Sequence, residues 1–142
     1  MSNIHQYKRS VHYYETDQMG IVHHSNYIRW FEEARVYMLD ELSLPYDRLE
    51  STGVMIPVLG VECDFKTPVR FGDTVLISCN IESFSGVRIS MEYNVTSLEG
   101  HLHAFGKSRH AFVDKNMKPL RLKRTNPEIY DIFEDEIKRR KD

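Results

Sequence analysis

Hydrophobic residues follow two different spacings along the chain. Between about residues 26 and 42 they recur every three or four positions, which is the period of one face of an α-helix. The residues on this face are Tyr27, Phe31, Ala34, Met38 and Leu42. Trp30 widens the apolar face, and Ser25 or Asn26 is suited to cap the N-terminus. The pattern predicts one long helix in the first third of the chain.

Further along the chain the period changes to two, which is typical of half-buried β-strands. The alternating residues are Val75, Ile77, Cys79 and Ile81 in one segment and Val87, Ile89, Met91, Tyr93 and Val95 in the next. Turn-forming residues recur about every 14 positions, near residues 72, 85, 99 and 114. We expect an antiparallel meander of four strands, each of about ten residues or more. An earlier strand is predicted over residues 6–14, and a turn-rich segment over residues 47–53.

These elements predict an α+β fold in which a curved antiparallel sheet wraps one long helix. We expect residues 1–142 to form a single domain. A short C-terminal helix is predicted over about residues 126–140, because Asn126-Pro127 combines a capping residue with a proline at the first helical position. Such a sheet leaves open edges, which proteins often cover by pairing. A dimer with a continuous sheet is therefore expected.

Composition and charge narrow the classes of function. The 142 residues have a formal net charge of −2, so a general nucleic-acid-binding surface is not expected. No stretch approaches the roughly 20 apolar residues of a membrane-spanning helix, and the N-terminus lacks an apolar signal segment. Cys63 and Cys79 do not have the spacing of a disulfide framework. We therefore expect a cytoplasmic protein with free thiols and no transmembrane segment.

Asp17 is the strongest candidate for chemistry. It lies in a predicted turn between the first strand and the long helix, which aims its carboxylate at a helix N-terminus, where free backbone N–H groups stabilise developing negative charge. Gly20 supplies either a special backbone angle or a close approach in this turn. His24 offers both a side chain and a backbone N–H beside the acid. The residues alone leave open that Asp17 only forms the turn and that His24 is an exposed turn histidine.

Other chemistries find less support. His23, His24, His101 and His103 do not complete a zinc-binding pattern, so no metal is expected. The chain lacks the Gly-x-Ser-x-Gly motif of serine hydrolases and the Gly-rich loops of nucleotide enzymes, and no cofactor is expected. A group of hydrophobic residues forms either an apolar ligand pocket or plain core. Its members are Tyr27, Met55, Val58 and Phe65.

The segment Tyr14–Glu32 resembles the signature of the hotdog-fold acyl-CoA thioesterases, the 4-hydroxybenzoyl-CoA thioesterase family with its YbgC-like branch. The matching residues are Thr16-Asp17, Gly20-Ile21-Val22, His24, Asn26-Tyr27 and Trp30-Phe31-Glu32. Pro68-Val69-Arg70 with Asp73, and the spacing of the predicted strands, extend the resemblance over about residues 7–115. Several unusual residues coincide at fixed spacing, which makes the match specific.

The resemblance implies a hotdog fold, paired into homodimers and often homotetramers, with sites at the subunit interfaces. It also implies hydrolysis of acyl-CoA thioesters to the free acid and CoA. Asp17 would act as nucleophile or general base on the thioester carbonyl, and the backbone N–H of His24 would polarise that carbonyl. Tyr13 corresponds by spacing to a tyrosine near the site, although a one-residue shift before the acid leaves Tyr14 as the alternative.

Candidate substrate-binding residues fall into two groups. Around the turn they are Gly20, Val22, Asn26 and Tyr27. Basic residues available for the phosphates of CoA are Arg70, Arg88 and Lys107.

Three alternatives stay open. The chain could be an acyl-acyl carrier protein thioesterase, with the same chemistry on a different carrier. It could be a hotdog dehydratase, although the turn from Asp17 to Gly20 argues against this. It could also be a non-catalytic acyl-binding module, which would not need Asp17.

Overall fold

A five-stranded antiparallel sheet forms the frame of the molecule. The computed structural model describes residues 5–141. The strands are β1 (His5–Ser10), β2 (Val58–Phe65), β3 (Thr74–Phe84), β4 (Arg88–Ser97) and β5 (Leu102–Ala111). They lie in the order β1-β3-β4-β5-β2, and each neighbouring pair is antiparallel. The helices are α1 (Ser25–Glu41), α2 (Tyr46–Thr52), α3 (Leu122–Thr125) and α4 (Pro127–Lys141).

Helix α1 packs against the sheet through the face that its spacing predicts. The buried residues of this face are Tyr27, Trp30, Phe31, Ala34 and Met38. The Phe31 ring stacks on Tyr93 of β4, with ring centroids 4.4 Å apart. Gly106 of β5 permits this close approach, because a Cβ there would lie 2.6 Å from the Phe31 ring. Burying a side chain of this size contributes about 1.5–3 kcal/mol, so this face anchors the helix to the sheet.

The strand predictions are right in their alternation and wrong in part of their order. β3, β4 and β5 form a meander, and the predicted alternating residues that lie in β3 and β4 are buried. Val87 is the exception, since it precedes β4 and is 38% exposed. β2 has only 8 residues and pairs with β5 at the edge of the sheet. The chain leaves the sheet between β2 and β3. Pro68 accounts for this, because proline has no N–H to donate to a neighbouring strand. The predicted four-stranded meander is therefore a three-stranded one.

Three local predictions also need correction. The predicted strand over residues 6–14 is too long, since β1 ends at Ser10 and Tyr13–Glu15 form a 3₁₀ turn. The turn-rich segment over residues 47–53 is instead α2, whose single buried side chain gives too little periodicity to signal a helix. Neither Ser25 nor Asn26 caps α1, because the N-cap residue is His24, which makes no side-chain capping bond.

The C-terminal helix begins at the predicted Asn-Pro signal. α4 starts at Pro127, and Phe133 on its buried face lies 5.3 Å from Phe84 and 5.7 Å from Phe112, measured between ring centroids. The short α3 before it was not expected. Residues 1–4 and 142 of the predicted domain lie outside the described residues. Among residues 5–141, no helix has both the length and the apolar character needed to cross a membrane.

Candidate active site

A tight turn presents Asp17 beside the start of α1. The Asp17 N–H donates to the carbonyl of Ile21 at 2.9 Å, and the Gly20 N–H donates to the carbonyl of Asp17 at 3.0 Å. Gly20 has a φ of +78°, while the space around it would admit a Cβ. The glycine is therefore needed for its backbone angle and not for close approach. We call residues 15–24 the acid turn.

The Asp17 carboxylate is hydrogen-bonded through one oxygen. Its Oδ1 accepts the N–H of Met19 at 2.8 Å, which is the turn-forming role that the sequence left open. Its Oδ2 has no hydrogen-bond partner among residues 5–141, and the side chain is half-buried. Asp17 thus shapes the turn with one oxygen and leaves the other available for chemistry.

The N-terminus of α1 supplies a backbone donor next to this acid. The His23 N–H donates to the carbonyl of Glu15 at 2.8 Å, and the Asn26 N–H donates to the carbonyl of His23 at 3.0 Å. The His24 N–H has no acceptor within the described part of the chain. Because it lies at the positive end of a helix of 17 residues, it is suited to a carbonyl oxygen that gains negative charge.

Asp17 and His24 line the same pocket, which has a volume of about 320 Å³. Its walls are formed by Asp17, Ile21, Val22, His24, Tyr27, Phe65, Lys66, Thr67 and Pro68. The rings of Tyr27 and Phe65 meet edge to face, with centroids 5.0 Å apart. Burial raises the pKa of Tyr27 to about 12. The pocket sets a carboxylate and a lysine against an apolar wall.

Some predicted site residues meet in this pocket and others support it from outside. The predicted residues that line it are Asp17, Val22, His24 and Tyr27. Gly20 shapes the turn without lining the pocket. The Nδ2 of Asn26 donates to the carbonyl of Glu15 at 2.9 Å and lies 3.4 Å from the carbonyl of His23. The Asn26 amide therefore ties the acid turn to α1 and does not line the pocket.

The remaining predicted residues lie outside the pocket. Tyr13 is 76% exposed and meets Phe71 edge to face, with ring centroids 5.5 Å apart. Arg70 adjoins the acid turn through a backbone bridge with Ile21. Arg88 lines a different groove, of about 390 Å³, on the strands of the sheet. In this chain, Arg88 does not share a pocket with Asp17.

The sequence reasoning missed the wall formed by Lys66, Thr67 and Pro68. These residues are about 50 positions away from Asp17. Of the three, only Pro68 was among the residues that matched the family. They come next to the acid turn because the Val22 N–H donates to the carbonyl of Val69 at 2.8 Å. No local pattern in the sequence signals this long-range bond.

Cysteine and metal chemistry are not supported at this site. Burial raises the pKa of Cys63 to about 11 and that of Cys79 to about 12. Neither thiol would be a thiolate nucleophile at neutral pH. Within residues 5–141, no three His, Cys, Asp or Glu side chains are grouped so that they could hold a metal ion.

A second group of polar side chains lies between the middle of α1 and the sheet. Ser108 Oγ lies 2.7 Å from His110 Nε2 and 2.6 Å from the Tyr93 hydroxyl. Arg35 donates to the same Tyr93 hydroxyl at 3.0 Å. Burial, helped by the charge of Arg35, lowers the pKa of His110 to about 4. We call these four residues the interior cluster. It holds a neutral histidine inside the protein at neutral pH.

Comparison with known proteins places this chain in one family. Residues 11–133 match the thioesterase-like superfamily, and the chain belongs to that superfamily. The hotdog thioesterase fold implied by the sequence resemblance is thereby confirmed.

Individual relatives span most of the chain. It is 34% identical over 125 residues to the "Putative acyl-CoA thioesterase YneP" of Bacillus subtilis strain 168, covering 87% of this chain and 91% of that protein. The chloroplastic acyl-acyl carrier protein thioesterase ATL3 of Arabidopsis thaliana is 26% identical over 125 residues, covering 86% and 65% respectively. The DHNA-CoA thioesterase structure from Staphylococcus aureus has a TM-score of 0.87 at 26% identity, covering 93% and 89%.

Proposed function

We propose that this protein hydrolyses acyl-CoA thioesters to the free acid and CoA. The observation that carries the proposal is that Asp17 and His24 line one pocket, while Oδ2 of Asp17 and the backbone N–H of His24 have no hydrogen-bond partner in the described part of the chain. A thioester carbonyl placed between them has an acid on one side and a helix N-terminus on the other. Membership of the thioesterase-like superfamily supports the same reaction.

The chemistry needs few groups because a thioester is already electrophilic and its thiolate leaves readily. Asp17 either attacks the carbonyl carbon or takes a proton from an attacking water. In both routes the His24 N–H donates to the carbonyl oxygen as it becomes an oxyanion, and one good donor contributes about 3–4 kcal/mol. When Asp17 attacks, the C–S bond breaks and an acyl anhydride forms on Asp17, which a water molecule then cleaves to the free acid and the Asp17 carboxylate. When Asp17 acts as a base, the water itself adds to the carbonyl carbon and the C–S bond breaks as the free acid forms. Both routes consume one water molecule, and one of its protons ends on the sulfur of CoA.

The walls of the pocket support a substrate with an apolar and an anionic part. Tyr27 and Phe65 provide apolar surface for an acyl group. Lys66, which lines the same pocket, supplies a positive charge suited to an anionic part of CoA.

Asp17→Asn is the direct test, since asparagine keeps the oxygen that accepts the Met19 N–H and loses the negative charge. We expect kcat on a panel of acyl-CoA thioesters to fall by about 100-fold or more, measured by free-thiol release. Asp114→Asn is the matched control, because Asp114 Oδ1 accepts the Asn116 N–H at 2.8 Å in a similar turn outside the pocket. Wild-type kcat in Asp17→Asn would show that the assignment of Asp17 is wrong.

A carrier-protein thioester is the second candidate substrate. The similarity to the ATL3 thioesterase of Arabidopsis thaliana favours testing it. Comparison of kcat/KM on matched CoA and carrier-protein thioesters distinguishes the two substrates. Tight binding of acyl-CoA without turnover at any chain length would instead identify a non-catalytic acyl-binding module.

We also propose that the protein forms a homodimer through the β2 edge. β2 pairs with β5 on one side, and no strand formed by residues 5–141 lies on its other side. An open edge of this kind invites pairing with a second copy. Its large hydrophobic residues are 43–52% exposed, and they are Val58, Leu59, Val61 and Phe65. Pairing of two β2 strands would continue the sheet across both copies, and a homotetramer would need a further contact between two such dimers.

Light scattering after gel filtration tests this arrangement. We expect the wild type at twice the chain mass or a multiple of it, and Val61→Lys at the mass of one chain, because a charge on the edge opposes pairing. Val87→Lys is the control, since Val87 is 38% exposed but precedes β4, away from the edge. A monomeric wild type would contradict the proposal.

A further inference from the structure

Glu15 is a buried carboxylate two residues before Asp17. The residue is only 2% exposed, yet both oxygens of its carboxylate accept hydrogen bonds. Oε1 accepts the His12 N–H at 2.8 Å and Arg9 Nη1 at 2.9 Å. Oε2 accepts Arg9 Nη2 at 2.8 Å and the indole N–H of Trp30 at 3.0 Å. The carboxylate therefore joins β1, the 3₁₀ turn and α1.

These donors keep the buried group ionised. Burial by itself would raise the pKa of Glu15, but the His12 N–H, Arg9 and the Trp30 N–H together lower it. Paired guanidinium and carboxylate groups with two parallel bonds have a defined relative orientation. A buried charge that is fully bonded in this way resists displacement, because moving it would leave unpaired polar atoms behind.

The backbone of Glu15 is tied to the same helix. Its carbonyl accepts the His23 N–H at 2.8 Å and Nδ2 of Asn26 at 2.9 Å. The side chain reaches Trp30, in the second turn of α1. Glu15 is therefore bonded to the residue before His24 and to two residues within the first turns of α1.

We propose that Glu15 is a positioning residue, which holds the acid turn against the N-terminus of α1 so that Asp17 faces the free N–H of His24. The inference rests on the proposed function of these two groups. Glu15 itself does not line the pocket and does not touch the substrate. It acts through the two bonds that its carbonyl makes and the four that its carboxylate accepts.

The expected signature is a loss of kcat with KM nearly unchanged. A misplacement of about 1 Å at reacting groups is enough to cost up to about 100-fold in rate. The Tyr27 and Phe65 wall, which binds the acyl part, is held by α1 and β2 and not by Glu15. A residue with a merely structural role would lower thermal stability and leave kcat per folded molecule unchanged.

Glu15→Gln tests the inference, because glutamine keeps the shape and loses the paired bonds with Arg9. We expect kcat to fall about 10-fold or more and KM to change less than about threefold. Trp30→Phe removes a single N–H donor from Glu15 and should lower kcat by a smaller factor. Glu33→Gln is the matched control: Glu33 accepts Arg9 Nε at 2.9 Å without contacting the acid turn, so wild-type kcat is expected.

The outcomes separate this inference from the proposed function. If Glu15→Gln is folded by circular dichroism and keeps the wild-type kcat, the positioning role is overturned. If it does not fold, Trp30→Phe decides, and a wild-type kcat there overturns the role. An equal loss of kcat in Glu33→Gln also overturns it. The loss would then come from disturbing Arg9, which bonds to both glutamates, and not from Glu15 itself. An active Asp17→Asn would instead remove the proposed function on which the inference rests.

Discussion

Polar side chains lie against α1 at its N-terminus and again at its middle, and the two places differ in access. At the acid turn, Asp17 is half-buried, keeps one oxygen unbonded and lines a pocket. In the interior cluster, Ser108 Oγ lies 2.7 Å from His110 Nε2, the distance expected between a nucleophile and its base. However, Ser108 is only 1% exposed and His110 is 0% exposed.

Short distances between reactive side chains are therefore not enough to make a catalytic site. A serine and a neutral histidine meet the distance criterion of an activated nucleophile, yet a substrate carbonyl has no room beside the buried Ser108. Asp17 meets the access criterion as well, because its turn projects it into a pocket. This difference supports the proposal that the acid turn carries the chemistry and that the interior cluster contributes stability.

The largest expected difference between the two regions is a loss of folding stability at low pH, which arises from His110 in the interior cluster. The pKa of His110 is about 4 in the folded protein, and an unfolded histidine titrates near 6.5. Below pH 6.5 the unfolded state binds a proton that the folded state does not, so folding loses stability as pH falls from 6.5 toward 4. The loss reaches about 3 kcal/mol. Urea unfolding at pH 7.5 and pH 4.5 measures it.

His110→Gln removes this titration and should show a smaller loss between the two pH values. His101→Gln, at an exposed position, should lose as much stability as the wild type. Equal losses in all three proteins would show that His110 is not kept neutral by its surroundings.

A smaller effect is expected from Ser108→Ala. Removal of this hydroxyl leaves His110 Nε2 buried without its partner, which costs about 1–3 kcal/mol of unfolding free energy. The kcat per folded molecule should stay at the wild-type value, whereas Asp17→Asn should show the reverse pattern. Denaturant unfolding and the free-thiol assay on the same samples make the comparison.

The control for Ser108→Ala is a serine in an exposed pair. Ser83 Oγ lies 2.5 Å from Ser90 Oγ on the same sheet, so Ser83→Ala should change stability by no more than about 0.5 kcal/mol. Loss of kcat in a stably folded Ser108→Ala would contradict the division between the two regions, because the interior cluster would then take part in the chemistry.

Sequence reasoning succeeded wherever a signal is local and repeated. The α1 face, the alternation of β3 and β4 and the start of α4 at Pro127 all follow from short-range periods and capping patterns. It failed at α2, where seven residues bury only Leu49. It also misplaced β2, because strand order depends on bonds to β5, whose paired residues are 39 to 52 positions further along.

At the candidate site, too, local signals could be read from the sequence and long-range contacts could not. The short motif predicted Asp17, Gly20 and His24 as site residues, and local geometry alone explains why an acid, a left-handed glycine and a helix start lie together. The motif could not distinguish a residue that faces the pocket from one that holds the turn. Asn26 was expected to bind substrate, and its amide is instead bonded to the carbonyl of Glu15.

The secondary-structure periods, the acid turn and its place before a long helix can be read from the amino-acid sequence, because each depends on residues within a few positions of one another. The set of side chains around Asp17 depends on the tertiary structure. Lys66 reaches the pocket because the chain after β2 bonds to the acid turn, and Glu15 is buried because Arg9 and Trp30 come together around it. Contacts between distant segments depend on how all the elements pack at once, and no local pattern encodes that.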